Sequence, residues 1–156
     1  YISVTGVQTC ALPISGALVI SIAAGTTTGY IESHLPAGTF VVRAMPNTPA
    51  LVDQAMVAIS PGSACTPEHL ITAQTLLESV GKVMQLPEKY QDAVTAISGS
   101  GPAYIYYVTE AMIEAGVMLG LPRDVATEMV YQTVYGAATM LNETRLHPTV
   151  WREQVT

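Results

Sequence analysis

The sequence predicts an α/β layer followed by an all-helical region, and three observations carry that prediction. Short apolar runs alternate with turn residues up to about position 90, the apolar period changes from two to 3.6 near position 100, and no proline interrupts the chain between Pro102 and Pro122. The pivot between the two halves is Ser98-Gly99-Ser100-Gly101-Pro102-Ala103-Tyr104. Alternating glycines let the backbone take positive φ and pass close to a ligand, while the serine hydroxyls and freed N–H groups face outward. Pro102 suits the first position of a helix. A flexible turn with an N-cap would explain the glycines and the proline, but a cap alone needs no Ser-Gly alternation.

Composition narrows the class. The 156 residues are 49% hydrophobic, enough for one ordinary core or for parts of two domains. A formal net charge of −6 with six Lys and Arg excludes the electrostatic footprint of a nucleic-acid or anionic-membrane binder. No apolar run reaches the roughly 18 residues of a membrane span, and the N-terminus lacks the flanks of a secretory signal, so a cytoplasmic setting is expected. Cys10 and Cys65 form no ligand spacing with the singly scattered His34, His69 and His147, so neither a metal site nor a disulfide framework is expected.

Residues 1–15 have no strand or helix period that continues into the rest of the chain; they resemble the conceptual translation of a sequencing-library adapter, and Cys10 therefore carries no functional weight. From Ala17 the pattern becomes coherent. Leu18-Val-Ile-Ser-Ile-Ala23 reads as a strand buried on both faces of a parallel sheet, and it leads through Ala24-Gly25 into a short threonine-capped helix with Ile31 and Leu35 on one face. Turns of this kind in open α/β sheets flank the ligand crevice, which makes Ala23, Ala24 and Gly25 candidates for lining a cofactor as well as for tight packing. Phe40-Val-Val-Arg-Ala-Met45 is the second strand, and Pro46-Asn47-Thr48-Pro49 fixes φ at two points around a short amide that could reach a ligand at the same edge.

Ala55-Met-Val-Ala-Ile-Ser60 is a third strand, ended by Pro61-Gly62. Thr66-Pro67-Glu68 is a helix start, the helix runs to about Val80 with Leu70, Ala73, Leu77 and Val80 on one face, and Gly81 suits the C′ position. Lys82-Val-Met-Gln-Leu86 returns as a fourth strand. Beyond the pivot, a helix from Pro102 to about Leu119 is apolar around most of its circumference, Gly120 ends it, and Leu121-Pro122 opens a second helix on which Val130, Val134, Ala137, Ala138 and Leu141 recur. So much apolar helix on a small unit calls for an intermolecular helical partner. Glu110 and Glu114, one turn apart, read as an acid pair or, more simply, as a solvated stripe.

Five motifs occur in the order and spacing of pyrroline-5-carboxylate reductases: Ala23-Ala-Gly25, Met45-Pro-Asn-Thr-Pro49, Asp92-Ala-Val-Thr95, Ser98 to Tyr104, and Gly120-Leu-Pro122. The resemblance runs from about Ala17 to Thr156. It implies the second half of a Rossmann-type dinucleotide-binding domain over 16–90 and a helical dimerisation and substrate domain over 91–156, the subunits pairing as homodimers or higher assemblies. It implies reduction of 1-pyrroline-5-carboxylate to L-proline with NADPH or NADH. Carried over residue by residue, Ala23, Ala24, Gly25, Asn47 and Gln154 fall on cofactor-binding positions, and Glu88, Ser98, Gly99, Ser100 and Gly101 on substrate-binding ones. Gln154 departs from the Asn usual there.

The family's phosphate-binding loop would precede residue 17 and its carboxylate-binding segment would follow Thr156, so the chain as given is expected to be catalytically inert. No side chain is singled out as general acid, because hydride transfer to an iminium carbon asks chiefly for alignment. A two-domain hydroxyacid-type dehydrogenase and a non-catalytic dimerisation module remain as alternatives. The dehydrogenase would want a lysine in the Pro102–Leu119 helix, which has none.

Overall fold

The computed structural model describes residues 16–155; the adapter-like segment 1–15, with Cys10, lies outside them. Four strands, β1 (Leu18–Ser21), β2 (Phe40–Met45), β3 (Ala55–Pro61) and β4 (Gly81–Gln85), form one sheet in the order β1-β2-β3-β4. β1 pairs parallel with β2 and β3 parallel with β4, but β2 and β3 are antiparallel, with Met45 opposite Ala58. The reason lies in the connection. Between β2 and β3 stands only a single 3₁₀ turn, Thr48–Val52, and a parallel crossover needs a dozen or more residues.

Burial follows strand position. Val41 and Val42 on β2, and Val57, Ala58 and Ile59 on β3, are all buried, as expected of inner strands covered on both faces. β1, by contrast, pairs on one side only among the described strands and its residues are half-buried, so the expectation of burial on both faces does not hold for it. Val42, Ala44, Ala55, Val57, Ile59 and Ala73 form the core, with Leu70, Leu77 and Val80 packed against it from the helical side.

Helix α1 (Thr28–Glu32) is capped by Thr27, whose Oγ1 accepts from Tyr30 N at 3.2 Å. Helix α2 (Pro67–Leu77) starts at Thr66, whose N–H is answered by His69 Nδ1 at 3.1 Å. Gly81 does end the helical run after a 3₁₀ turn, but at φ 152° it also opens β4, and a Cβ there would overlap the backbone of Ala55. The short α3 (Gln91–Val94) passes into a π-helical turn over Thr95–Gly99, closed by Ser100 N donating to Thr95 O at 2.8 Å. Three helices follow: α4 (Gly101–Met118), α5 (Arg123–Thr144) and α6 (Pro148–Val155).

The chain divides into two compact units, one running through Pro102 and one starting at Ala103. In the second unit, Gly120 at φ 98° ends α4, and Gly116 lets α5 approach closely, since a Cβ there would lie 3.1 Å from Ala126 Cβ. Arg123 grips Glu114 with two bonds, Nη1 to Oε1 at 2.6 Å and Nη2 to Oε2 at 3.0 Å. Among the described residues of this unit only Ala126 and Val130 are buried. Tyr107 (74% exposed), Tyr135 (67%) and Met118 (88%) show how much apolar surface α4 and α5 leave uncovered. Among the described residues no helix is long and apolar enough to cross a membrane.

Candidate functional site

Because β1 and β2 run parallel, the loops leaving their carboxyl ends emerge at the same edge of the sheet. One is Ala23-Ala24-Gly25, turned by Thr26 N donating to Ala23 O at 3.4 Å. Gly25 takes φ 73°, and a Cβ on it would meet nothing within 4 Å, so the turn is open at that residue. The other loop is Pro46-Asn47-Thr48.

Asn47 looks inward. Its Oδ1 accepts from Met56 N at 3.0 Å and its Nδ2 donates to Ser98 O at 3.1 Å. The side chain thereby ties the β2–β3 loop to the π-helical turn and brings two of the sequence motifs together. π-helical turns are rare and occur often at functional sites, where the extra residue displaces a carbonyl or a side chain from the regular ladder.

The Ser98–Gly101 stretch differs from the positive-φ glycine loop expected from the sequence. It is helical, and neither Gly99 nor Gly101 has positive φ; the glycines that do are 16, 25, 38, 81 and 120. Gly99 instead packs against Met45, where a Cβ would fall 2.7 Å from Cε, the movable end of that side chain. At Gly101 a Cβ would meet nothing within 4 Å. Ser98 Oγ is buried without a hydrogen-bond partner, while Ser100 is exposed.

Glu88 sits on the connection after β4, and its carboxylate is occupied within the protein. Thr28 donates to it twice, from N to Oε1 and from Oγ1 to Oε2, both at 2.7 Å, and Arg43 Nη1 donates to Oε1 at 3.3 Å. Burial pushes the Glu88 carboxyl up, but the bonds from Thr28 and Arg43 outweigh it and hold it below its ordinary value. Arg43 and Thr28 were missed in the sequence, though an arginine inside the apolar run Phe40-Val-Val-Arg-Ala-Met45 was a usable signal. Glu114, the other acid of interest, pairs with Arg123 at the surface, and the hydrogen bond from that guanidinium holds its carboxyl low.

The second unit holds an open groove of ≈ 620 Å³ between α4 and α5, with Tyr106, Glu110, Arg123, Tyr131 and Tyr135 among its walls. Gln154 is also in this unit, exposed on α6. Among the described residues, no three His, Cys, Asp or Glu side chains come together to hold a metal ion.

Comparison with known proteins places the chain among relatives of one kind. Residues 88–156 match the family described as pyrroline-5-carboxylate reductase dimerisation. A pyrroline-5-carboxylate reductase of Mycobacterium tuberculosis is 50% identical over 124 residues, which cover 80% of this chain and 42% of that protein. Among solved structures, a pyrroline-5-carboxylate reductase from Coxiella burnetii superposes with a TM-score of 0.83 at 38% identity, covering 89% of this chain and 52% of the other. A Plasmodium falciparum pyrroline carboxylate reductase with NADP bound gives 0.85 at 31% identity, covering 91% and 57%. The chain spans about half the length of the relatives it matches.

Proposed function

We propose that this chain, which belongs to the pyrroline-5-carboxylate reductase family, forms part of a cytoplasmic enzyme that reduces 1-pyrroline-5-carboxylate to L-proline. A bound NADPH or NADH supplies the hydride. The observation that carries the reading within the structure is the Asn47 bridge, which anchors the loop at the cofactor edge of the sheet to the Ser98–Gly101 turn. Two reactants held on turns joined by one part-buried amide are held at a fixed separation, and alignment is the main contribution such a transfer needs.

On this reading Ala23, Ala24 and Gly25 face the nicotinamide end of the cofactor. The fit is physical: an open turn without side chains at Gly25 admits a flat ring to the sheet edge. Asn47 acts there by holding the loop; Gln154, exposed on α6 of the second unit, is a cofactor position by the family resemblance alone. Ser98, Gly99, Ser100 and Gly101 form the substrate turn, with the unpartnered Ser98 Oγ as its polar group. Glu88, a substrate position by resemblance, has its oxygens engaged by Thr28 and Arg43 and therefore acts on the turn after β1 rather than on the substrate directly. We place the functional boundary near residue 90, close to where the family match begins at 88.

The exposed apolar faces of α4 and α5 take a second copy of the chain, giving a homodimer or a larger homo-oligomer. The absence of lysine from α4 favours imine over hydroxyacid chemistry. The test is an assay of the full-length enzyme containing this chain. Oxidation of NADPH or NADH dependent on pyrroline-5-carboxylate, with L-proline as product, is expected; oxidoreduction of a hydroxyacid in its place would transfer the chain to the other reading.

A further inference from the structure

We infer that Arg43 is a positioning residue for the dinucleotide, acting through Glu88 on the turn that follows β1; the inference deepens the reductase reading and rests on it. Arg43 stands in the middle of β2 with its side chain 4% exposed. A charge so placed is costly unless it is answered, and here the answer is unequal. Nη1 donates to Glu88 Oε1 at 3.3 Å, whereas Nη2 lies 3.7 Å from Asp92 Oδ1 and makes no hydrogen bond. Asp92 is almost wholly exposed, so that second pairing is weak. Glu88 is the effective partner.

Glu88 in turn grips the first residue of α1. Oε1 accepts from Thr28 N and Oε2 from Thr28 Oγ1, each at 2.7 Å. One carboxylate therefore joins a core strand, the connection after β4 and the start of α1. Gly25, the open point of the candidate cofactor turn, lies just upstream of Thr28. The Ser98–Gly101 turn is held separately, by Asn47. Two turns with two different anchors give two different kinetic signatures. Loosening Arg43 affects the dinucleotide, whereas loosening Asn47 affects chiefly the imine and, through its loop, the dinucleotide less.

The experiment uses the full-length enzyme with two substitutions. Arg43→Lys keeps the charge but loses the planar fork. Thr28→Val keeps the buried Arg43 and its Glu88 partner charged and removes only the hydroxyl bond to Glu88, so it remains informative should Arg43→Lys fail to fold. Losing one charge-assisted bond predicts a rise of about tenfold in the NADPH Kd, by titration calorimetry, and in the NADPH KM for Arg43→Lys, with about threefold for Thr28→Val. The KM for pyrroline-5-carboxylate is expected to stay within about twofold of the parent. If both KM values rise together, or if Tm falls while the NADPH Kd is unchanged, Arg43 is only a structural strut and the inference is overturned. A parent that binds NADPH without turning over pyrroline-5-carboxylate would refute the reductase reading, yet the calorimetry would still decide the role of Arg43. A parent that binds neither NADPH nor NADH would overturn both, and where NADH is the one bound the same titrations are made with NADH.

Discussion

Asn47 Nδ2 donates to Ser98 O at 3.1 Å across 51 positions of sequence, and the same amide accepts from Met56 N at 3.0 Å. Replacing it with alanine leaves a part-buried N–H and a part-buried carbonyl without partners, which costs about 1–3 kcal/mol. Asn47→Ala is therefore expected to lower Tm and to raise the KM for pyrroline-5-carboxylate more than that for NADPH. Asn47→Asp separates the two bonds, since it keeps an acceptor for Met56 N but turns a carboxylate toward the Ser98 carbonyl. Steady-state kinetics in which Asn47→Asp matched the parent for both substrates would show that the Ser98 bond does not position the turn.

The glycines of the pivot divide by environment. At Gly99 an added Cβ presses on the end of the flexible Met45 side chain, so Gly99→Ala is expected to cost about 1 kcal/mol as Met45 shifts. At Gly101 the space is open and the backbone is helical, so alanine should be neutral or stabilise by up to about 1 kcal/mol. A raised KM for pyrroline-5-carboxylate in Gly101→Ala, with Tm unchanged or higher, would come from a ligand in that open space. Parent-like saturation would instead assign Gly101 a purely local role in starting α4.

Much of this was legible in the sequence because local chemistry agreed with the final structure. Thr27 and Thr66 start their helices as their positions suggest, and β2 occupies Phe40–Met45 as read. What stayed hidden was non-local. The antiparallel step between β2 and β3 depends on how the Pro46–Gln54 connection folds back, and no periodicity encodes strand direction. The Ser-Gly alternation suggested positive φ, but the helix continued through it and the glycines serve packing against Met45 and open space. Glu88 was placed at the substrate by resemblance alone. Its engagement by Thr28 and Arg43 required knowing that residues 60 and 45 positions away fold beside it.

That engagement carries a pH dependence whose sign can be worked out. The Glu88 carboxyl is held below its ordinary value of 4.5 in the folded chain, so it binds its proton less readily folded than unfolded. Its contribution to stability is present above the ordinary glutamate range and is lost as the pH falls through it toward the folded value. Tm measured from neutral pH downward should therefore decline more steeply for the parent than for Glu88→Gln, which starts lower and lacks the titrating group. Parallel curves for the two proteins would exclude Glu88 as a source of acid lability.

The assembly is tested most cleanly where the lone chain is indifferent to the change. Ala137 is exposed on α5, so an arginine at 137 projects away from the lone chain. If the apolar faces of α4 and α5 pack against a second copy, the same arginine must be buried between helices, where an unpaired charge costs about 3–5 kcal/mol. That is enough to weaken a dimer constant by roughly two to nearly four orders of magnitude, since each ~1.4 kcal/mol is tenfold. Sedimentation of the full-length protein should then show Ala137→Arg dissociating on dilution while its helix content by circular dichroism is retained. An unchanged sedimentation coefficient across the dilution series would move the interface off this face of α5, and the exposed tyrosines of α4 would become the next surface to substitute.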